Sequence, residues 1–152
     1  MLGNCKESQN YKVGALSESL KKKLETVLQL LERLAKDAAK GVPMIIEGQK
    51  DIAALRKLGV EGDFISAKSS GRSFVDVLRE VESRGTREFI LLLDFDRRGI
   101  EWTKRMAQGL ERRRIKPNMF FWKGLRSMVR RDVKDIEGLA TYVETLKKKC
   151  EG

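Results

Sequence analysis

The sequence predicts an α/β domain: a four-stranded, mainly parallel sheet with helices on both faces, flanked by an N-terminal and a C-terminal helix. Two observations carry this. Short apolar runs alternate along the chain with stretches of helical periodicity, the pattern of βα units. One run, Phe89-Ile90-Leu91-Leu92-Leu93, is apolar at every position. A strand covered on one face alternates; one covered on both faces does not, so this run predicts a central strand between two helical layers.

The elements follow in order. Residues 1–16 read as a flexible arm. Ser17 suits an N-cap, and Leu20, Leu24, Val27, Leu31, Leu34 and Ala38 then recur at alternating spacings of four and three. That stripe predicts an amphipathic helix over 17–41 packed on the core, or alternatively used as a short coiled-coil contact in a homodimer. Residues 42–46 predict a buried strand ending at Glu47-Gly48, followed by a helix over 49–58 stopped by Gly59. A second strand is expected at 63–66, a polar loop at 69–72, and a helix over 73–83 with Gly85 at its end. After the central strand comes a helix over 99–114. Residues 117–122 resemble a fourth strand, with Phe120 and Phe121 in the core and Trp122 open between core and base stacking. A final helix covers 135–149, with Ile136, Leu139, Tyr142, Val143 and Leu146 inward.

Composition excludes several classes. The chain has 152 residues, enough for one domain with a real core. It has no histidine, which removes Ser-His and Cys-His catalysis and His-ligated zinc. Cys5 and Cys150 lie near opposite ends, so neither a disulfide framework nor a Cys-based zinc site is expected. No apolar run approaches the ~20 residues of a membrane span. The first twelve residues lack the apolar core of a secretion signal, and the expected compartment is the cytoplasm. Net charge is +10 and unevenly placed: residues 97–152 carry +9 and residues 1–96 carry +1. Such asymmetry points to a polyanionic partner, nucleic acid first. A charge-rich thermophile surface is the plainer alternative.

In open α/β sheets ligands sit beyond the carboxyl ends of the strands. Glu47 ends the first strand, and Asp94 and Asp96 end the central one. Alternate side chains of an extended segment point the same way, so Asp94 and Asp96 can share a site while Phe95 enters the core. Hard oxygen donors of this kind suit Mg²⁺ or Mn²⁺. Gly48 and Gly99 allow tight turns or close approach of backbone to a ligand. Asp51 falls on the first turn of the next helix.

Glu47-Gly48-Gln49-Lys50-Asp51 followed by Asp94-Phe95-Asp96-Arg97-Arg98-Gly99 resembles the Toprim domain shared by topoisomerases, bacterial-type primases, OLD-family nucleases and the maturase of 5S ribosomal RNA. The resemblance covers about 42–122, with 123–152 as a basic helical extension, and its scale is that of the small stand-alone Toprim proteins of archaea and some bacteria. It implies that Glu47 serves as a general acid/base or metal-site acid, and that Asp94 and Asp96 hold Mg²⁺. Many Toprim enzymes have an acid before the final glycine of the second motif, whereas this chain has Arg97 and Arg98. A topoisomerase also needs a gate and a nucleophilic tyrosine. The tyrosines here are Tyr11 in the arm and Tyr142 on an apolar helix face.

Cationic candidates for phosphate contact are Lys50, Lys68, Arg72, Arg97, Arg98, Arg112, Arg113, Arg114, Lys123, Arg126, Arg130 and Arg131. The expected function is Mg²⁺- or Mn²⁺-dependent phosphoryl transfer on nucleic acid, RNA favoured over DNA, with hydrolytic cleavage as its form. The alternatives are a non-catalytic RNA-binding module of a ribosomal or RNA-processing complex, and a phosphatase or nucleotidyl-transfer activity on small nucleotides.

Overall fold

The computed structural model describes residues 7–68 and 71–151, with side chains from residue 18 onward. Four strands, β1 (Met44–Ile46), β2 (Phe64–Ser66), β3 (Glu88–Leu92) and β4 (Lys116–Asn118), form one sheet in the order β2-β1-β3-β4. Every pairing is parallel. Among the described residues six helices accompany them: α1 (Glu7–Ala39), α2 (Gln49–Lys57), α3 (Phe74–Arg84), α4 (Arg97–Arg112), α5 (Phe120–Val129) and α6 (Ile136–Glu151). Among the described residues no helix is long and apolar enough to cross a membrane.

Period-two alternation divides the strands between two cores. Met44, Ile46, Ile90 and Leu92 face one layer with residues of α1, α2, α5 and α6. Ile45, Phe89, Leu91 and Leu93 face the other, with α3 and α4. The apolar run of β3 is thereby accounted for. The helix after β1 leaves on one face and the helix after β3 on the other. A crevice therefore opens between the carboxyl ends of these two neighbouring strands, the point at which such sheets bind ligands.

Local chemistry fixes the helix ends, the start of α4 beside this crevice among them. Asp96 caps α4 by accepting the Gly99 N–H at 2.8 Å. Ser73 caps α3, with Asp76 reaching back to the Ser73 N–H at 2.9 Å. Gly85 ends α3 in the left-handed region at φ 67°. Past α4 the same conformation falls on a non-glycine residue, Arg114, at φ 59°. A left-handed conformation costs such a residue about 1 kcal/mol. Arg114→Gly is therefore expected to raise the melting temperature by a few degrees, read by thermal denaturation.

Three expectations are corrected. The first helix begins at Glu7, not at Ser17; no proline interrupts residues 7–17, and one glycine there costs a helix only about 1 kcal/mol. Residues 1–6 of the expected arm, and Ser69 and Ser70 of the loop, lie outside the described residues. The stretch 117–122 is not one strand. β4 stops at Asn118, whose Oδ1 accepts the Phe120 N–H at 3.0 Å, and α5 starts there. Phe121 and Trp122 are buried on that helix, but Phe120 is 51% exposed and does not belong to the core. The boundary drawn at residue 122 thus falls inside α5. The basic C-terminal stretch packs inward: Leu125, Val129, Ile136, Leu139 and Val143 belong to the same core as β1 and β3.

Candidate functional site

The parallel register sets Ile46 beside Leu92, so Glu47 and Asp94 emerge from neighbouring strands at one edge of the sheet. Glu47 is only 6% exposed. Its Oε2 accepts the Asp94 N–H at 3.3 Å, and its Oε1 lies 2.7 Å from Lys68 Nζ. The two motifs expected to meet are joined by a hydrogen bond.

Asp94 is the least satisfied group there. Its Oδ1 is buried and has no hydrogen-bond partner. Burial foremost, then the charges of Glu47, Asp51, Asp135 and Asp96, push its carboxyl up to about 7. Asp51 is buried as well. Its Oδ2 accepts the Gly48 N–H at 3.1 Å and its Oδ1 the Glu137 N–H at 2.8 Å, so it ties the turn after β1 to the start of α6. Burial raises its pKa too, against the lowering effect of these hydrogen bonds. Asp96 is exposed, with one oxygen engaged as the α4 cap. Phe95 enters the core as expected.

Gly99 has a steric reason to be glycine. A Cβ there would lie 2.0 Å from the Asp94 carbonyl oxygen and 2.5 Å from its carbon. The first turn of α4 is thus pressed against the backbone of Asp94. Gly48 has no such reason: its backbone is extended, at φ −160°, and a Cβ would meet nothing within 4 Å.

Sequence reasoning missed two contributors. Asp135, between α5 and α6, adds its charge to Asp94. In sequence it reads as an ordinary helix cap, and its Oδ1 does accept the Gly138 N–H at 2.7 Å. Trp122 is not a stacking residue; its Nε1–H donates to the Leu93 carbonyl at 2.9 Å and braces the end of β3. The Phe95 N–H donates to the Lys134 carbonyl at 2.7 Å, bringing the α5–α6 turn to the same edge. No linear signal links these segments to Asp94.

The cationic candidates separate by position. Arg97 and Arg98 are exposed on the first turn of α4, beside Asp96. Arg126 Nε approaches the Phe95 carbonyl at 3.5 Å. Arg130 and Arg131 line a cleft of about 260 Å³ with Lys23. Lys50 is exposed on the first turn of α2, and Lys123 is exposed on α5. Others are placed otherwise. Lys68 is engaged by Glu47. Arg72 is half-buried, donating to the Ser66 and Asp76 carbonyls and paired with Glu80, so it clamps β2 to α3 rather than awaiting a phosphate. Arg112, Arg113 and Arg114 close α4 at the end opposite Asp96, a helix length of about 24 Å away. Arg113 is moreover bound to the Gly109 carbonyl and near Glu82.

Similarity to known proteins identifies a family. The chain is 33% identical over 132 residues to the UPF0292 protein of Methanosarcina acetivorans, covering 87% of this chain and 90% of that one. It is 38% identical over 120 residues to the UPF0292 protein of Methanocaldococcus jannaschii, covering 78% and 91%. The chain belongs to the UPF0292 family. A solved structure of a protein from Aquifex aeolicus is similar to it with a TM-score of 0.59 and 25% identity, over 72% of this chain and 94% of that one. No family model matches the sequence. The UPF0292 name carries no activity, so the site's chemistry has to be argued from its residues.

Among the described residues no three acids are drawn together tightly enough to hold a metal ion. One feature of the donor set nonetheless points toward a divalent cation. Asp94 Oδ1 lacks the partner a buried carboxylate oxygen requires, and the surrounding charge is negative. Asp94, Glu47 and Asp96 are the residues that would hold it.

Proposed function

We propose that the chain is a Toprim-like nucleic-acid enzyme that hydrolyses RNA with Mg²⁺ or Mn²⁺. The observation carrying this reading is the unpartnered, buried Asp94 Oδ1 beside Glu47 at the strand switch point. A bound divalent ion would screen phosphate charge and stabilise the transferring phosphoryl group. Asp94 supplies an anionic oxygen for that ion once its proton is lost. Glu47, held by the Asp94 N–H, positions or deprotonates the attacking water. Lys68 balances Glu47 and stands where a phosphate oxygen can compete for its charge. Arg97 and Arg98 on one side, with Arg126, Arg130 and Arg131 on the other, supply the phosphate track. RNA is favoured by the likeness to the Toprim RNA maturase.

End-labelled structured RNA, single-stranded RNA and duplex DNA, each incubated with Mg²⁺, Mn²⁺ or chelator, test the reading on a denaturing gel. Metal-dependent cutting of RNA is expected. A second reading, an RNA-binding module without turnover, draws support from the Lys68–Glu47 pair, which neutralises the acid meant to act. It would be favoured by RNA shifted on a native gel but never cut. Under both readings Arg130→Glu with Arg131→Glu should weaken RNA binding about tenfold or more at low salt and flatten its salt dependence, measured by fluorescence anisotropy.

A further inference from the structure

Away from the acidic site, the edge of the sheet carries a cleft of about 430 Å³ between α1, β4 and the start of α5. Phe120 lines it, 51% exposed, and is the single aromatic among the large exposed apolar side chains of the described residues. The Arg33 guanidinium lies over its ring at 4.6 Å from the centroid. The Phe121 ring stands nearly perpendicular to it, at 85°, with the centroids 5.3 Å apart. Lys116 and Lys123, both exposed, line the same cleft, with Asp37 as the one acid. A flat apolar ring, a guanidinium plane and two free ammonium groups form a surface that suits a base and its flanking phosphates. Bases stack on aromatic and guanidinium planes whatever their identity, while lysines follow the backbone. A purely apolar partner would leave three cations desolvated, and a small anion would have no use for the ring.

We propose that this cleft binds an unpaired nucleotide of a single-stranded nucleic acid, its base on Phe120 and Arg33 and its phosphates at Lys116 and Lys123. The inference rests on the nucleic-acid part of the functional reading and not on catalysis. A duplex keeps its bases stacked internally and gains nothing from the ring, so the subsite selects single strands.

The test is fluorescence anisotropy of a labelled oligouridylate of about 10 nucleotides against the full chain, in chelator. Phe120→Ala is expected to weaken binding about tenfold or more, without changing binding of an RNA duplex of equal length. Phe120→Trp should restore it, and its added indole should be quenched by the oligouridylate. Lys123→Glu should reduce the salt dependence, whereas Phe120→Ala should not. Circular dichroism controls for folding, and Phe120→Trp keeps the test informative where the alanine variant folds poorly. Alanine binding within about twofold of wild type, equal weakening of the duplex, or no wild-type binding to the oligouridylate would each overturn the inference. Loss of cleavage in an acidic-site variant that still distinguishes Phe120 from alanine leaves this subsite standing. RNA cutting that is indifferent to Phe120 leaves the catalytic reading standing alone.

Discussion

Gly99→Ala is expected to dismantle the acidic site without altering any acid. The added Cβ would meet the Asp94 carbonyl oxygen at 2.0 Å and the Asp94 Cα at 2.9 Å. These are backbone atoms, and no rotamer change relieves the overlap. Either the first turn of α4 lifts from the sheet or the segment holding Asp94 and Asp96 moves. The first breaks the Asp96 cap on Gly99, and the second shifts Asp94 away from Glu47. Overpacking of this kind costs about 3 kcal/mol, which in a chain of this size lowers the melting temperature by roughly 6–12 °C. Displacing a catalytic oxygen by about 1 Å costs on the order of a hundredfold in rate. Thermal denaturation and single-turnover cleavage read the two effects separately. Gly48→Ala serves as the contrast. Its backbone is extended and its Cβ position open, so stability should change by about 0.5 kcal/mol or less.

The second large effect is a trade between stability and activity at Asp94. Its carboxyl lies at about 7 in the fold against 3.8 for the ordinary side chain. Between those values the metal-free native state keeps a proton that the unfolded chain has released. Stability contributed by that proton is present at low pH and lost as pH rises through about 7. The raised Asp51 acts in the same direction. Asp94→Asn removes the charge at nearly constant shape. In chelator the variant should melt above wild type at pH 8, by about 1–2 kcal/mol of stability, and the gap should shrink toward pH 5. Cleavage should be abolished. Mg²⁺ should raise the melting temperature of wild type but not of the variant, and by a larger amount at pH 8 than at pH 6, because the ion competes with the proton on Asp94. A melting temperature that falls on substitution would mean that Asp94 is already satisfied in the metal-free protein.

The layers and the acidic pair were legible because they rest on short-range rules. A run apolar at every position requires cover on both faces, and β3 has it. The strand-ending acids lie together because parallel register and strand order bring Glu47 to Asp94. What escaped depends on tertiary context. Phe120, Phe121 and Trp122 suit a strand by propensity, but the Asn118 side chain accepts the Phe120 N–H where the chain turns into a helix, and only then does one ring turn outward while two turn in. Asp135 behaves as a cap and acquires its second role only through the contact of Lys134 with Phe95. The run Arg112-Arg113-Arg114 was grouped with the cations of the acidic site because sequence gives charge density without direction. The axis of α4 carries it a helix length away from Asp96.

The most direct test of the central claim, that the acids at the β1/β3 crevice form a divalent cation site, is Mn²⁺ binding. Calorimetric titration and electron paramagnetic resonance of the free ion, at pH 8 and in the absence of nucleic acid, would measure it. Wild type is expected to take up Mn²⁺ and release it to Mg²⁺, and Asp94→Asn, folded and more heat-stable, is expected to take up none. Uptake that is absent from wild type, or unchanged in Asp94→Asn, would contradict the account.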